Sequence, residues 1–116
     1  MILVIGGMSS GRKTYVRALG YAEEDFSQDP YSSAPVIYGV EKYVLDHIDS
    51  VDIAGLAEVL AKKDVVICQE VGKGVIPVEY ESRMLREKAG GLCTLLGNMA
   101  DRIVRMICGI PTVIKG

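Results

Sequence analysis

The sequence predicts an α/β fold, a mostly parallel sheet covered by helices on both faces and closed by an antiparallel C-terminal strand pair. Three observations carry this expectation. The runs Ile2–Ile5 and Val65–Cys68 are apolar without alternation, as strands buried on both faces are. The segments between strand candidates carry apolar residues at helical spacing. The last two strand candidates are separated by only a tight turn, which permits antiparallel pairing alone.

Taken in order, Ile2 to Ile5 reads as the first strand, followed by a Gly-rich turn and a helix-compatible segment, Tyr15 to Leu19. Gly20 to Ser33 is acidic and polar and reads as a solvated loop. Pro35 to Tyr38 is a short strand candidate ended by Gly39. Val40, Tyr43, Val44 and Ile48 then fit a short helix. Asp52 stands where it could cap a further helix, with Ile53, Leu56, Ala57 and Leu60 on one face and Lys62 and Lys63 at its C-terminal end. Asp64 to Glu70 is the clearest internal strand. A loop over Val71 to Pro77 leads into a helical region from Val78 to about Met99, which Gly90 and Gly91 are expected to kink or divide. Arg102 to Cys108 is a strand, Gly109 to Pro111 a turn, and Thr112 to Lys115 a final strand.

The totals exclude several functions. A chain of 116 residues is read as one domain, residues 1–116, large enough for a real core. A net charge of −2 with 24% charged residues provides no global basic field for nucleic acid. No apolar run reaches the roughly 20 residues of a membrane span, and Met1–Ile5 lacks the basic region and cleavage site of a signal peptide. Three cysteines, Cys68, Cys93 and Cys108, without CxxC spacing suggest reduced thiols in a cytoplasmic protein.

The organising stretch is the first one, Met1 to Thr14. Strand, Gly-rich loop and helix in that order is the context of a phosphate loop, so the fold expected is a P-loop NTPase-like three-layer sandwich. Glycines let successive N–H groups turn inward toward an anion. The nucleotide-binding residues read from this stretch are Gly6, Gly7, Met8, Ser9, Ser10, Gly11, Arg12, Lys13 and Thr14. Gly6 and Gly11 have the spacing of GxxxxGK[ST], but Arg12 stands where the pattern has lysine and Lys13 where it has the hydroxyl. Thr14 comes one place late and is the candidate metal-holding hydroxyl. Either a one-residue adjustment restores Lys13–Thr14 to the pattern, or phosphate binding survives without efficient transfer. Guanidinium is planar and bulky where a compact ammonium is usual, and Lys13 as a cation cannot ligate a metal.

Two blocks together resemble the adenosylcobinamide kinase/adenosylcobinamide-phosphate guanylyltransferase family of cobalamin synthesis, in a shortened and degenerate form. Met1 to Gly11, continued by Arg17 to Leu19, is similar to the family's opening strand and phosphate loop. Glu70–Val–Gly–Lys–Gly–Val–Ile–Pro77 resembles its Glu-Val-Gly-x-Gly-x-x-Pro loop, with Arg83, Arg86, Ala89–Gly90, Ala100–Asp101 and Gly109–Ile110 in step after it. Ala34 to Tyr38 looks like its second strand. The resemblance implies GTP or ATP as ligand, Mg²⁺ if the protein is active, a corrinoid as a further ligand, and a homo-oligomer. It implies two steps, phosphorylation of the adenosylcobinamide side-chain hydroxyl and GMP transfer through a histidine.

The departures from the family pattern bear on chemistry. The family is longer between the second strand and the Glu-Val-Gly strand, where its GMP-accepting histidine and a kinase metal carboxylate lie. The single histidine here, His47, is the candidate catalytic residue, but Asp46 and Asp49 beside it would favour the protonated, non-nucleophilic ring if they lie close in space. Gly91 to Thr94 stands where the family has a basic residue and an Asn-Gln pair. Glu70, Gly72, Gly74 and Pro77 are read as a pocket loop. Glu70 could orient water on Mg²⁺ or contact the Gly loop. Arg83 and Arg86 could meet a phosphate or form a solvated basic face. Three readings follow: a nucleotide-binding relative with weak or lost catalysis, an active enzyme completed by a neighbouring subunit, and a non-catalytic interaction or regulatory scaffold.

Overall fold

The computed structural model describes residues 1–7, 10–69 and 80–116. Its frame is a six-stranded sheet. In chain order the strands are β1 (Ile2–Gly6), β2 (Phe26–Ser27), β3 (Val36–Ile37), β4 (Val65–Gln69), β5 (Arg102–Ile107) and β6 (Ile110–Lys115). Their order across the sheet is β2-β3-β4-β1-β5-β6, and among the described residues only β5 and β6 run antiparallel. The helices are α1 (Arg12–Ala18), α2 (Val40–Asp46), α3 (Ile53–Ala61) and α4 (Tyr80–Met99). The first strand is central: Val4 stands opposite Ile67 of β4 on one side and Val104 of β5 on the other.

Strand periodicity divides the core in two. Leu3, Ile37, Val66 and Cys68 face α2, α3 and α4, where they meet Val40, Val44, Leu56, Ala57, Leu60, Leu92 and Leu96. The alternate residues Val4, Val36, Val65, Ile67, Val104 and Met106 face Val16 of α1. Successive side chains on a strand point to opposite faces, so an unbroken apolar run is what a strand with helices on both sides requires. This is the predicted three-layer α/β sandwich.

Several sequence expectations change in detail. The loop over residues 20–33 contains a helical turn at Glu23–Asp25 and the two-residue β2, parallel to β3 with Phe26 opposite Val36. Phe26 meets the Tyr38 ring edge-on, with centroids 6.4 Å apart. Asp52 stands at the N-terminus of α3 as expected, but its side chain makes no capping hydrogen bond. The helix expected to break at Gly90–Gly91 is continuous over 20 residues. Ala89, Leu92 and Leu96 are buried along one stripe of it, and that packing outweighs the low helix propensity of two glycines.

The final turn is Cys108–Gly109 rather than 109–111, and β6 begins at Ile110. Both turn residues have positive φ, 49° and 77°, as a two-residue type I′ hairpin turn requires. Ile107 and Ile110 flank the turn as the first bonded pair, so Met106 and Pro111 form the next, non-bonded pair. Pro111 therefore lacks an N–H on the free edge of the sheet. All six residues of β6 are exposed, Ile110, Val113 and Ile114 among them. Among the described residues no helix is long and apolar enough to cross a membrane.

Candidate functional site

The carboxyl ends of β1, β3 and β4 open into one hollow of about 390 Å³, lined by Ser10, Gly11, Arg12, Lys13, Thr14, Gln28, Tyr38, Gly39, Glu41 and Ile67. Parallel sheets place ligand groups in this position, beyond the carboxyl ends of their strands. Gly6 ends β1, and a Cβ there would lie 2.5 Å from Ser10 Oγ and 2.8 Å from the Met106 carbonyl oxygen. The close approach of the loop to the strand end therefore demands glycine. Gly11 has φ 89° and its carbonyl accepts from the Tyr15 N–H at 3.0 Å, which starts α1. Gly109 N–H donates to the Ser10 carbonyl at 3.0 Å.

The side chains give the hollow a positive balance. Among the described residues that line it, Arg12 and Lys13 carry two positive charges against one negative charge on Glu41. Lys13 Nζ sits 3.7 Å from the centre of the Tyr38 ring, whose negative face attracts an ammonium. Glu41 Oε2 accepts the backbone N–H of Gln69 at 3.3 Å, which fixes the carboxylate at the end of β4. Ser10 is only 7% exposed, and its Oγ is buried with no hydrogen-bond partner among the described residues. A buried hydroxyl left unbonded costs about 1–3 kcal/mol.

The structure brings together Ser10 to Thr14 of the predicted loop. Gly6 lies buried beneath them and Gly7 is exposed beside them. Met8 and Ser9, and the pocket loop Glu70, Gly72, Gly74 and Pro77, lie outside the described residues. Arg83 is exposed and Arg86 half-buried on α4, and neither lines the hollow. Thr14 is exposed at the rim, shared with an apolar depression over Tyr15, Ala18, Met106 and Gly109. The sequence reading missed Gln28, Tyr38 and Glu41. Tyr38 alone had a signal, as the residue that ends the second strand candidate.

His47 is placed elsewhere. It follows α2, with its ring stacked on Tyr43 at 4.2 Å and Nδ1 2.9 Å from the Tyr43 carbonyl oxygen. With Nδ1–H donating to that carbonyl, Nε2 carries the free lone pair. Tyr43 lines a second, smaller hollow with Lys42 and Asp46, and this hollow shares Gln28 and Gly39 with the first. Asp46 is paired with Lys42 at 3.0 Å. His47 lines neither hollow.

Magnesium is the metal that a phosphate loop implies. It needs oxygen donors in near-octahedral array. Among the described residues the lining holds one carboxylate, Glu41, already bonded to a backbone N–H, with neutral oxygens on Thr14, Gln28 and Tyr38, and it puts an ammonium at the hydroxyl position of the pattern. A fixed cation at the position where the pattern places the metal's hydroxyl does not fit the metal. Among the described residues, no group of three or more His, Cys, Asp or Glu side chains comes together to hold one.

A search of curated proteins returns no match to the chain. Comparison with protein families matches residues 39–114, which runs from Gly39 at the edge of the hollow through all of β4, α4 and β5 and most of β6. That span covers more than half of the chain. The chain therefore belongs to the cobinamide kinase / cobinamide phosphate guanyltransferase family.

Proposed function

We propose that this chain binds the phosphates of GTP or ATP in the hollow at the end of β1, and that kinase and guanylyl-transfer activity on a cobinamide is weak or lost. The observation that carries the binding reading is the pair of cations, Arg12 and Lys13, on the lining of a hollow beyond the carboxyl end of β1, with Lys13 Nζ held 3.7 Å from the Tyr38 ring. Charge-assisted hydrogen bonds to phosphate oxygens are the strong ones, and this arrangement supplies their donors in advance. The loss of activity is supported by the exchange of hydroxyl for Lys13 and by His47 standing outside the hollow. The thermal unfolding temperature should rise with GTP or ATP and stay unchanged with GMP. At about a hundredfold over Kd the gain is about 2.7 kcal/mol. A nucleotide-induced rise that survives Arg12→Ala and Gly11→Asp unaltered would place binding elsewhere.

One observation favours a second reading, an active enzyme completed by a neighbouring copy. His47 is exposed with Nδ1 held by a carbonyl, which leaves Nε2 available as a nucleophile. In that reading a neighbouring copy in a homo-oligomer presents the phosphate, and a corrinoid is the second substrate. Incubation with GTP labelled at the α-phosphate distinguishes the two. Covalent label lost in His47→Ala supports the enzyme, and no label supports the binding protein.

A further inference from the structure

We infer that the hollow takes its polyphosphate as the free anion, without a divalent cation. This inference rests on the phosphate-site reading and adds the ionic form of the ligand. Phosphate loops of the GxxxxGK[ST] pattern use the last residue's hydroxyl on Mg²⁺. In this chain that position is Lys13, and its ammonium is held inside the hollow against Tyr38 at 3.7 Å. A divalent ion placed there would meet a fixed positive charge. A phosphate oxygen placed there would meet a donor.

The rest of the lining agrees with an anion unaccompanied by metal. Arg12 adds a second cation, half-buried. The carboxylate Glu41 accepts from the Gln69 N–H, so part of its capacity as a ligand is used. Two cationic donors, Arg12 and Lys13, thus line the hollow, and the pattern's hydroxyl position carries an ammonium while Thr14 stands exposed one place later. The Tyr38 ring is the positioning element. It holds the ammonium in the hollow before any ligand arrives, and so lowers the cost of ordering a long side chain.

The test is titration calorimetry of the full chain with GTP and with inorganic triphosphate, each in EDTA and in excess Mg²⁺. The expected result is binding in EDTA at least as tight as in Mg²⁺, because the metal competes with Lys13 for the same oxygens. Lys13→Ser is expected to bind about tenfold more weakly in EDTA and to regain affinity when Mg²⁺ is added. Lys13 is exposed, so the variant should keep the wild-type circular dichroism. Wild-type binding that requires Mg²⁺ overturns the inference and leaves the phosphate site standing. Lys13→Ser binding unchanged in EDTA also overturns it. Failure of the wild type to bind either probe in either buffer overturns the phosphate site and the inference together.

Discussion

Gly109 donates its N–H to the carbonyl of Ser10 at 3.0 Å, so the turn between the last two strands holds the loop that follows the first. Gly109 does this with φ at 77°, a conformation that costs an L-residue about 1–2 kcal/mol. Gly109→Val should therefore lower the stability by that amount in urea unfolding. It should also weaken nucleotide binding, although its side chain would lie in open space. Loss of stability with binding unchanged would show that the loop does not depend on this bond.

A second substitution should act in the opposite direction. Gly91 lies within α4, and a Cβ built on it meets nothing within 4 Å. Gly91→Ala should raise the stability by about 0.5–1 kcal/mol through helix propensity and a less flexible unfolded chain. Urea unfolding measures this directly. A decrease would mean that the helix needs the glycine for close packing.

The three thiols should react in order of exposure. Cys108 is exposed, Cys93 half-buried and Cys68 buried in the sheet. Burial pushes the Cys68 thiol well above its ordinary range, with Cys93 and Glu41 adding to the rise and Arg12 opposing it. The thiolate is the reactive form. Titration with a disulfide reagent should label Cys108 fast, Cys93 more slowly, and Cys68 only as the chain unfolds.

Asp101 should make stability depend on acid pH. The N-terminal ammonium of Met1 is 2.6 Å from its carboxylate and lowers its pKa, first by the hydrogen bond and then by charge. A depressed carboxylate pKa gives stability that is present above the ordinary aspartate value and lost as pH falls through the folded one. Asp101→Asn should remove that part of the acid limb and leave the rest of the unfolding profile in place. An unchanged pH profile for Asp101→Asn would show that the exposed pair contributes nothing.

Pro111 should protect the free edge of the sheet. Its missing N–H falls on the outer side of β6, beside exposed Ile110, Val113 and Ile114. Proline on an edge strand obstructs pairing with another chain. Pro111→Val should increase association, read by light scattering against concentration, with little change in the monomer's unfolding. An unchanged scattering profile would assign the protection to another residue.

The legible parts of the fold were those with a strong local signal. Ile2–Ile5 and Val65–Cys68 are long apolar runs, and Leu56, Ala57 and Leu60 repeat with the helical period, so β1, β4 and α3 were readable. Phe26–Ser27 was not, because two residues in an acidic stretch carry no periodicity, and the strand exists through its pairing with β3. Gly90–Gly91 misled because propensity was read without the burial of Leu92 and Leu96 that overrides it. The turn was misplaced because Cys108 adopts a positive φ that the residue type does not announce. In the candidate site, the loop from Ser10 to Thr14 was readable from its spacing. Gln28 and Glu41 were not, since the sheet order alone brings them to the mouth of β1.

The central place of β1 also sets an order of events as the chain is made. Its two neighbours, β4 and β5, begin at Val65 and Arg102, so the first strand to leave the ribosome must wait for nearly the whole chain before both its edges are paired. The helices and the β5–β6 hairpin are local and can form early, whereas pairing of strands distant in sequence is slow. Ser10 is held by Gly109, so the loop closes no sooner than the turn it hangs from. The candidate site is thus a late product of folding, and a chain stopped short of its final hairpin would carry the loop's residues without the loop's shape.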